Sequence, residues 1–334
     1  MSEQAVRDVV SEFKGHRAPG ASQPFSEGVQ VVTWYREPDF SRDYRRLREL
    51  ELELSDLDIF GDMELLSVWR LAREQGYATW AREARGTKKC QIAFFGTGAN
   101  HDWFTRRRGA FDEALLATER CLEAGIIPRW ELFLTKRMAP DLPELLALVD
   151  RLDLRARSED VGGEFVVFIM APAPDGEAMN IEHLRPTARD IAAVPEWLVE
   201  ASRRRLAEGD PFGEPEGTLV RKVLRGDLEV KWWEPPHLAF LVDARLDVYS
   251  NYGGGLTPWW RLGDLKVGSL SQILDAFEND SVPGLRAAYH VPTQELAERY
   301  GRPNGRRYYC GVDLLWRWVN LWCREHFPEM GGGG

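Results

Sequence analysis

Short apolar segments alternate with amphipathic segments in the first half of the chain, and this alternation restricts the fold more than any other feature of the sequence. Each predicted strand is brief and rich in β-branched or aromatic residues, and turn-forming or charged residues follow it. Parallel strands joined by right-handed crossovers are the usual product of this order, and open barrels, closed barrels and doubly wound sheets all satisfy it. The predicted strands are 29–34, 57–60, 77–80, 90–95, 129–135 and 164–170.

Helical spacing marks the segments between these strands. Leu65, Val68, Trp69 and Ala72 lie at i, i+3, i+4 and i+7, which predicts an amphipathic helix that ends at Gly76. Between the strands at 77–80 and 90–95, the chain leaves room for only a turn or two of helix. The predicted helices of this half are 41–54, 64–75, 111–122 and 145–152.

The rhythm changes after residue 171, where Pro172, Pro174 and Pro186 interrupt the chain. Helices are predicted at 197–208, 270–277 and 316–325, and extended segments at 219–233 and 238–248. We therefore expect an N-terminal arm (1–28), a βα region (29–215), a C-terminal α/β region (216–330) and a disordered glycine tail (331–334).

The net charge and the distribution of apolar residues argue against several classes of function. The formal net charge is −10, which disfavours binding to a nucleic-acid backbone. No apolar run reaches 18 residues, so no membrane span is expected. The N-terminus contains acidic residues and lacks the apolar segment of a secretory signal, and a cytoplasmic location is therefore expected.

The sequence contains four cysteines, and none of them forms a CxxC pair. They are Cys90, Cys121, Cys310 and Cys323. The first 89 residues contain no cysteine at all. In a reducing compartment, this pattern indicates buried thiols rather than disulfides or a zinc site.

Three stretches carry a resemblance to a known family. Residues 57–76 read LDIFGDMELLSVWRLAREQG, which is a predicted strand, a turn and a helix. Residues 91–135 pass from a strand through a turn with His101 and Asp102 to a helix and another strand. Residues 242–277 combine a strand pair, a glycine-rich loop and a short helix. In this order and spacing they resemble the radical SAM superfamily with a SPASM-like C-terminal extension. The resemblance implies an α/β fold, in which a partial (β/α)6-type TIM-like barrel precedes a SPASM-like α/β extension.

The family's iron–sulfur motif is missing from this sequence. The resemblance implies a CxxxCxxC loop after the first strand, but residues 34–39 read WYREPD, and Asn251 stands where a SPASM cysteine is expected. Iron–sulfur clusters need soft thiolate ligands, and Glu37 and Asp39 offer hard oxygen ligands instead. The sequence thus argues against a [4Fe–4S] cluster, with a rearranged set of Cys90, Cys121 and Cys310 as a minor alternative.

The resemblance also implies a site for S-adenosylmethionine. Gly61, Asp62, Met63 and Glu64 take the place of the GGEP-like turn that binds the amino group of this cofactor, and Gly96 follows the fourth predicted strand, 90–95. An ordinary helix start, with Asp62 as its cap, explains the same residues. The sequence assigns no cofactor by itself, and S-adenosylmethionine stays an open candidate.

His101, Asp102 and Lys136 are the candidate catalytic residues. All three follow predicted parallel strands, and active sites of such folds lie at the carboxyl ends of the strands. A histidine beside a carboxylate can act as a general base or bind a metal. The alternative is a helix-capping turn in which Asp102 caps and His101 is exposed. No metal site is assigned.

Two functions follow from these observations. The first is a pseudoenzyme or partner protein that holds a peptide or small molecule in the barrel groove, or that pairs with a catalytic homologue or a second copy of itself. The second is a non-radical enzyme that uses the barrel mouth with S-adenosylmethionine or with a divalent metal bound by Asp62, Glu64, His101 and Asp102.

Overall fold

The computed structural model describes residues 65–172, 176–206, 209–228, 245–250 and 257–330. It also describes the strands Gln30–Thr33 and Ala239–Val242 and a few isolated helical positions among the first 49 residues. The predictions for 57–60, for the glycine tail and for most of 41–54 concern residues that lie outside this set. Of residues 41–54, only Tyr44, Arg45 and Glu49 are described, and all three are helical.

The first half of the described chain alternates strands with helices. Its elements are β1 (Gln30–Thr33), α1 (Val68–Arg73), α2 (Tyr77–Glu83), β2 (Lys89–Phe94), α3 (Gly98–Thr105), α4 (Ala110–Glu123), β3 (Ile127–Phe133), α5 (Leu142–Arg151), α6 (Leu154–Asp160) and β4 (Val166–Met170). Helices dominate the second half, with α7 (Ala188–Ile191), α8 (Glu196–Arg205), β5 (Glu214–Pro215), α9 (Glu216–Arg225), β6 (Ala239–Val242), β7 (Asp247–Ser250), β8 (Arg261–Asp264), α10 (Leu270–Glu278), α11 (Pro283–His290), α12 (Thr293–Tyr300), β9 (Tyr308–Tyr309) and α13 (Gly311–His326).

The fold is mixed α/β and contains a parallel sheet. Strands β2, β3 and β4 pair in that order, all parallel, as the predicted crossovers require. A second sheet has the order β1-β6-β7-β8. The segment predicted as the first barrel strand, β1, pairs in parallel with β6, a strand that lies about two hundred residues later in the chain.

One predicted strand and the first part of one predicted extended segment, 219–233, are helical instead. Residues 77–80 belong to α2, which buries Tyr77, Ala78 and Ala81. Residues 219–225 lie in α9, which buries Leu219, Val220 and Val223 along one side. In each case the buried residues are spaced at i, i+1 and i+4, so tertiary packing of a helical face prevails over local β propensity.

Two separate hydrophobic clusters form the interior of the described regions. The first joins the parallel sheet to helices that include α1, α2, α4, α5 and α8, and Leu71, Trp130 and Leu198 are among its residues. The second is centred on α9 to α13, and Trp260 and Trp318 are among its fully buried residues. Trp259 and Trp260 are both buried in this second cluster.

A buried ionic network links elements from both halves of the chain. The Glu182 carboxylate, which precedes α7, accepts hydrogen bonds from Arg307 and from the hydroxyl of Tyr309. Arg317 on α13 lies 3.5 Å from the same carboxylate and 3.4 Å from that of the fully buried Glu216. Such networks are costly to disrupt because removal of one member leaves a buried charge without compensation.

Strand β4 forms one border of the parallel sheet. The Ile169 amide donates to the Ser202 hydroxyl of α8 at 2.8 Å, and the Ala171 amide donates to the Pro211 carbonyl at 2.9 Å. These two bonds hold α8 and the loop after it against the strand.

Within the described residues, no helix combines the length and apolar character that crossing a membrane requires.

Candidate functional site

The two faces of the parallel sheet differ in chemical character. Successive side chains of a strand point to opposite faces. One face, called here the covered face, packs into the first hydrophobic cluster through Cys90, Ile92, Phe94, Trp130, Leu132, Val167 and Ile169. The other, called here the inner face, consists of Gln91, Ala93, Phe95, Arg129, Glu131, Phe133, Val166, Phe168 and Met170. None of the apolar inner-face residues belongs to either hydrophobic cluster.

A polar network occupies the inner face. Gln91 lies opposite Arg129 in the register of β2 and β3. The Gln91 side chain donates to the Glu131 carboxylate at 2.7 Å and accepts from the Arg129 guanidinium at 2.7 Å. Arg129 is only 7% exposed. Parallel strands are normally apolar on both faces, so a buried arginine and a carboxylate here need a specific reason.

Glu131 is the acidic centre of this network. Burial raises the pKa of its carboxyl above the ordinary value, although the hydrogen bond from Gln91 and the charges of Arg129 and Arg205 act in the opposite direction. Arg205, the last residue of α8, places its guanidinium carbon 5.7 Å from the centre of the Phe168 ring. Phe168 is the register partner of Glu131, so two arginines flank one carboxylate on this face.

Aromatic rings line the carboxyl end of the same face. Phe95 and Phe133 stack with their centroids 5.1 Å apart and their planes 10° apart. Phe104 of α3 stacks on Phe95 at 5.3 Å, and Trp103 meets Phe104 edge-on at 4.9 Å. Trp103 is 43% exposed, so this row of rings extends from the inner face to the protein surface.

The loops that follow β2 and β3 are joined at the carboxyl edge of the sheet. The Asp141 carboxylate accepts from the Thr97 amide at 2.8 Å and from the Asn100 side chain at 2.7 Å. Arg137 donates to Asn100 at 2.8 Å and stacks over Trp103 at 4.3 Å. These contacts fix the start of α3 against the loop after β3.

Gly96 lies inside this junction. Its φ is +132°, and a Cβ atom there would lie 2.8 Å from both the Asn100 Cβ and an Asp141 carboxylate oxygen. The missing side chain therefore makes room for the protein's own residues, and the described structure leaves no space for a cofactor at this Cβ position.

His101 lies within α3 and not in a loop, and it is buried at 3% exposure, which corrects the expectation of an exposed histidine. Its Nδ1 accepts the Phe95 amide at 3.3 Å, and the ring packs between Phe94 and Phe111. Burial lowers its pKa to about 4, while Asp102 opposes the decrease and Arg107 adds to it. At neutral pH, His101 is therefore an uncharged acceptor that ties α3 to the end of β2.

Asp102 is a helix cap, as one of the two sequence interpretations predicts, but it caps the helix that comes after its own. Its carboxylate accepts the amides of Gly109 at 2.6 Å and Phe111 at 3.0 Å, at the start of α4. Burial acts to raise its pKa, but these amide donors and His101 outweigh burial and lower it. Its oxygens thus satisfy the amide groups that the first turn of a helix leaves without partners.

Lys136 follows β3 and is exposed. Its ammonium group donates to the His183 carbonyl at 3.4 Å, and its backbone amide donates to the Leu184 carbonyl at 2.9 Å. The structure thus shows structural contacts for His101, Asp102 and Lys136. Gly61, Asp62, Met63 and Glu64 lie outside the described residues, so the predicted site for S-adenosylmethionine stays a prediction.

The cysteines are distributed over separate places. Cys90 at the start of β2 and Cys121 on α4 are fully buried, and the hydrogen bond between their thiols, together with burial, raises the pKa of Cys121. Cys310 precedes α13, and burial raises its pKa to about 11. The described residues contain no group of three or more His, Cys, Asp or Glu side chains that could hold a metal, so Cys90, Cys121 and Cys310 do not converge.

Gln91, Arg129 and Glu131 are not among the predicted site residues, although the sequence contains a signal for Arg129 and Glu131. The stretch RWELF places Arg129 and Glu131 alternately with Trp130 and Leu132. Alternation of period two is expected of a strand with one polar face, whereas a parallel strand that is buried on both faces is apolar throughout.

Comparison with known proteins gives distant structural matches. Similar solved structures include anSMEcpe, an anaerobic sulfatase-maturating enzyme of the radical SAM and SPASM type. With bound AdoMet and the Cp18Cys peptide, it is 12% identical at a TM-score of 0.43, over 86% of this chain and 81% of that one. The polyhistidine-tagged form with bound AdoMet is 12% identical at a TM-score of 0.45, over 97% and 89% of the two chains. No family model and no curated protein sequence matches the chain.

Proposed function

We propose that the inner face of the parallel sheet is a ligand-binding groove, and that this chain is a clusterless, radical-SAM-like binding or partner protein that holds a peptide or small molecule there. The observation that carries the proposal is the Gln91–Arg129–Glu131 network. Charged side chains destabilise a sheet interior unless they are compensated, and proteins tolerate such groups most often where they serve a function.

The groove offers both kinds of contact that a ligand site needs. Phe95 and Phe133 provide an apolar surface at one end, and the amide and charged groups lie next to it toward the amino end of the strands. Ligand sites commonly combine an apolar lining with a few convergent polar groups that fix orientation.

The donor set does not suit an iron–sulfur cluster. Such a cluster needs several thiolates at one place, and the buried Cys90 and Cys121 are not joined by further metal-ligating groups among the residues that the structure describes. For S-adenosylmethionine, the position at Gly96 is filled by Asn100 and Asp141. We therefore derive no chemical step through either group.

The cluster can be tested directly. We expect protein purified without oxygen to contain no stoichiometric iron or labile sulfide, and to leave S-adenosylmethionine intact when it is supplied with a reductant. A brown preparation that cleaves the cofactor would overturn the clusterless assignment. Calorimetry with S-adenosylmethionine alone measures binding separately from cleavage.

Binding to the groove is tested with a panel of dipeptides that covers the natural side chains. We expect some members to raise the melting temperature of the wild-type protein, and a Glu131→Gln, Phe133→Ala variant to lose that increase. Glu159→Gln on the exposed surface of α6 is the control and should keep the increase. Equal increases in all three proteins, or no increase at millimolar concentrations, would overturn the proposal.

One observation favours the second function, a non-radical enzyme. The raised pKa of the Glu131 carboxyl brings its protonation closer to neutral pH, which suits a group that exchanges a proton with a ligand. Mass spectrometry of dipeptides and S-adenosylmethionine after incubation, without reductant, tests this function. A product formed by the wild type and not by Glu131→Gln supports an enzyme, and unchanged compounds oppose it.

A further inference from the structure

We propose that a cleft beside helix α8 binds a small organic cation, in which an ammonium group is attached to an apolar, ring-sized body. This cleft, called here the α8 cleft, has a volume of about 310 Å³ and is lined by residues of α7, α8, the loop after α8 and β9. None of the inner-face residues lines it, so the inference goes beyond the proposed function. An apolar floor and an acidic rim carry it.

The floor of the α8 cleft is apolar. Val194, Val199 and Phe212 line the cleft, belong to the first hydrophobic cluster and are at most 9% exposed. The half-buried Ile191 packs against the same cluster and completes this surface. Small-molecule sites begin at about 300 Å³ and combine an apolar lining with a few polar groups. The cleft is therefore large enough to take the ring or the short chain of a small molecule.

The rim of the α8 cleft is acidic. Among the described residues that line it, Glu196 and Asp210 are exposed acids and Arg203 is the one base. Arg203 donates to the Glu200 carboxylate at 2.7 Å, so its positive charge is already compensated. Neither Glu196 nor Asp210 forms an ion pair with another described residue. An ammonium group at the rim would be attracted by these two carboxylates, whereas an anion would be repelled.

The local structure holds the polar groups over the apolar floor. Glu196, Val199 and Arg203 lie at i, i+3 and i+7 of α8, so a single face of this helix contributes to both parts of the cleft. The Oδ1 atom of Asp210 accepts the amides of Phe212 at 2.8 Å and Gly213 at 3.1 Å. These bonds fix the loop after α8 and leave the other carboxylate oxygen of Asp210 for a ligand.

Tyr308 of β9 adds an aromatic ring to the lining. Its backbone amide donates to the Pro186 carbonyl at 3.0 Å, and its carbonyl accepts from Arg185 at 2.9 Å. Arg185 is 2% exposed and lies 3.3 Å from the Asp313 carboxylate, so its charge is paired within the protein. Because the face of an aromatic ring attracts cations, Tyr308 adds to the preference for an ammonium group.

A matched series of probes tests this preference. 3-Phenylpropylamine, 3-phenylpropanol and 3-phenylpropionate share a ring and a chain and differ in the charge of the end group. We expect calorimetry to give the tightest binding for the amine, weaker binding for the alcohol and the weakest for the anion. Since both carboxylates are exposed, the amine should bind about fivefold more tightly than the alcohol, which corresponds to about 1 kcal/mol. This difference should shrink at high salt.

Substitutions that remove charge locate the site. Glu196→Gln combined with Asp210→Asn should abolish the preference for the amine and leave binding of the alcohol unchanged, since the new amide keeps an oxygen that accepts the two loop amides. Glu298→Gln on the exposed surface of α12 is the matched control and should keep the preference. Ala192→Trp, at an exposed position of the lining, should fill the cleft and weaken binding of both the amine and the alcohol. A melting temperature near that of the wild type shows that each variant is folded.

The outcomes separate this inference from the proposed function. If the alcohol or the anion binds as tightly as the amine, or if the double variant without the two carboxylates keeps the preference, the inference is wrong. If affinity for the amine falls with Glu131→Gln, Phe133→Ala and not with Ala192→Trp, the ligand occupies the inner face and the inference fails. If none of the three probes binds, the inference fails as well, and the dipeptide panel still tests the groove of the inner face.

Discussion

The covered face and the inner face of the parallel sheet are built from the same three strands but meet opposite requirements. Trp130 and Glu131 are adjacent in β3, yet Trp130 is fully buried in a hydrophobic cluster and Glu131 belongs to a polar network. The covered face stabilises the fold through close packing of apolar groups. The inner face carries charged and amide groups that contribute little to a hydrophobic core, and this difference is the basis on which we propose it as the ligand site.

The largest expected effect comes from this adjacent pair. Trp130→Ala should lower the free energy of unfolding by about 3–5 kcal/mol, because it empties a site that packs against Phe94 and Phe165. It also removes the 3.1 Å hydrogen bond to Thr118. Glu131→Gln should cost less, about 1–2 kcal/mol, since the amide keeps one hydrogen bond with Gln91 although the negative charge beside Arg129 is lost. Denaturant unfolding measures both, and equal losses would contradict the contrast between the faces.

The next effect concerns His101, at the edge where the two faces meet. Its pKa of about 4 in the folded protein lies below the ordinary value near 6.5, so the neutral form stabilises the fold. This contribution is complete above about pH 6.5 and is lost as the pH falls toward 4, by up to about 3 kcal/mol.

We expect a His101→Asn variant, whose side chain can still accept the Phe95 amide, to show a weaker dependence of stability on pH over this range. Denaturant unfolding at several pH values measures the slope. His326→Gln at an exposed position is the control and should keep the wild-type slope. If the dependence of unfolding free energy on pH is unchanged in His101→Asn, then His101 is accessible to water in solution. This edge of the sheet would then not share the burial of the covered face.

A third prediction concerns Gly96 in the junction after β2. Gly96→Ala should destabilise the protein by about 1–3 kcal/mol, because the new methyl group meets Asn100 and Asp141 in a backbone conformation that favours glycine. Gly98→Ala is the matched control, since its φ is also positive but no atom lies within 4 Å of the added methyl. If both variants lose the same stability in thermal unfolding, then the contacts with Asn100 and Asp141 are not the reason why residue 96 must be glycine.

The smallest effect is expected for Asp102→Asn. Loss of the carboxylate at the start of α4 should cost about 1 kcal/mol. The pKa of Asp102 is lowered in the folded protein, so its contribution is present above about pH 4 and disappears as the pH falls through the lowered value. The difference between wild type and variant should therefore shrink on acidification. A difference that stays constant with pH would point to lost packing rather than lost charge.

The sequence predicted the regular elements of the parallel sheet well. The strands at 90–95, 129–135 and 164–170 match β2, β3 and β4 within two residues, and the helices at 111–122 and 145–152 match α4 and α5 within three at each end. These segments combine clear periodicity with glycine or charged boundaries, so local and tertiary preferences agree.

The candidate site was less predictable. His101 and Asp102 look like active-site residues because they follow a strand, but the sequence does not show that the carboxylate reaches forward to the next helix or that Phe95 donates to the imidazole. For Arg129 and Glu131, the sequence predicts only that they belong to the strand 129–135. Their role depends on which face is covered by helices, and that is decided by contacts between distant segments.

The hydrogen bonds along β4 have a further consequence for how this molecule meets others. A bare strand edge offers amide donors to any passing chain, which invites cross-chain strand addition and aggregation. The donors of Ile169 and Ala171 are already satisfied by Ser202 and Pro211. The chain thus terminates its own sheet at these two positions, and an incoming strand would first have to displace part of the protein itself.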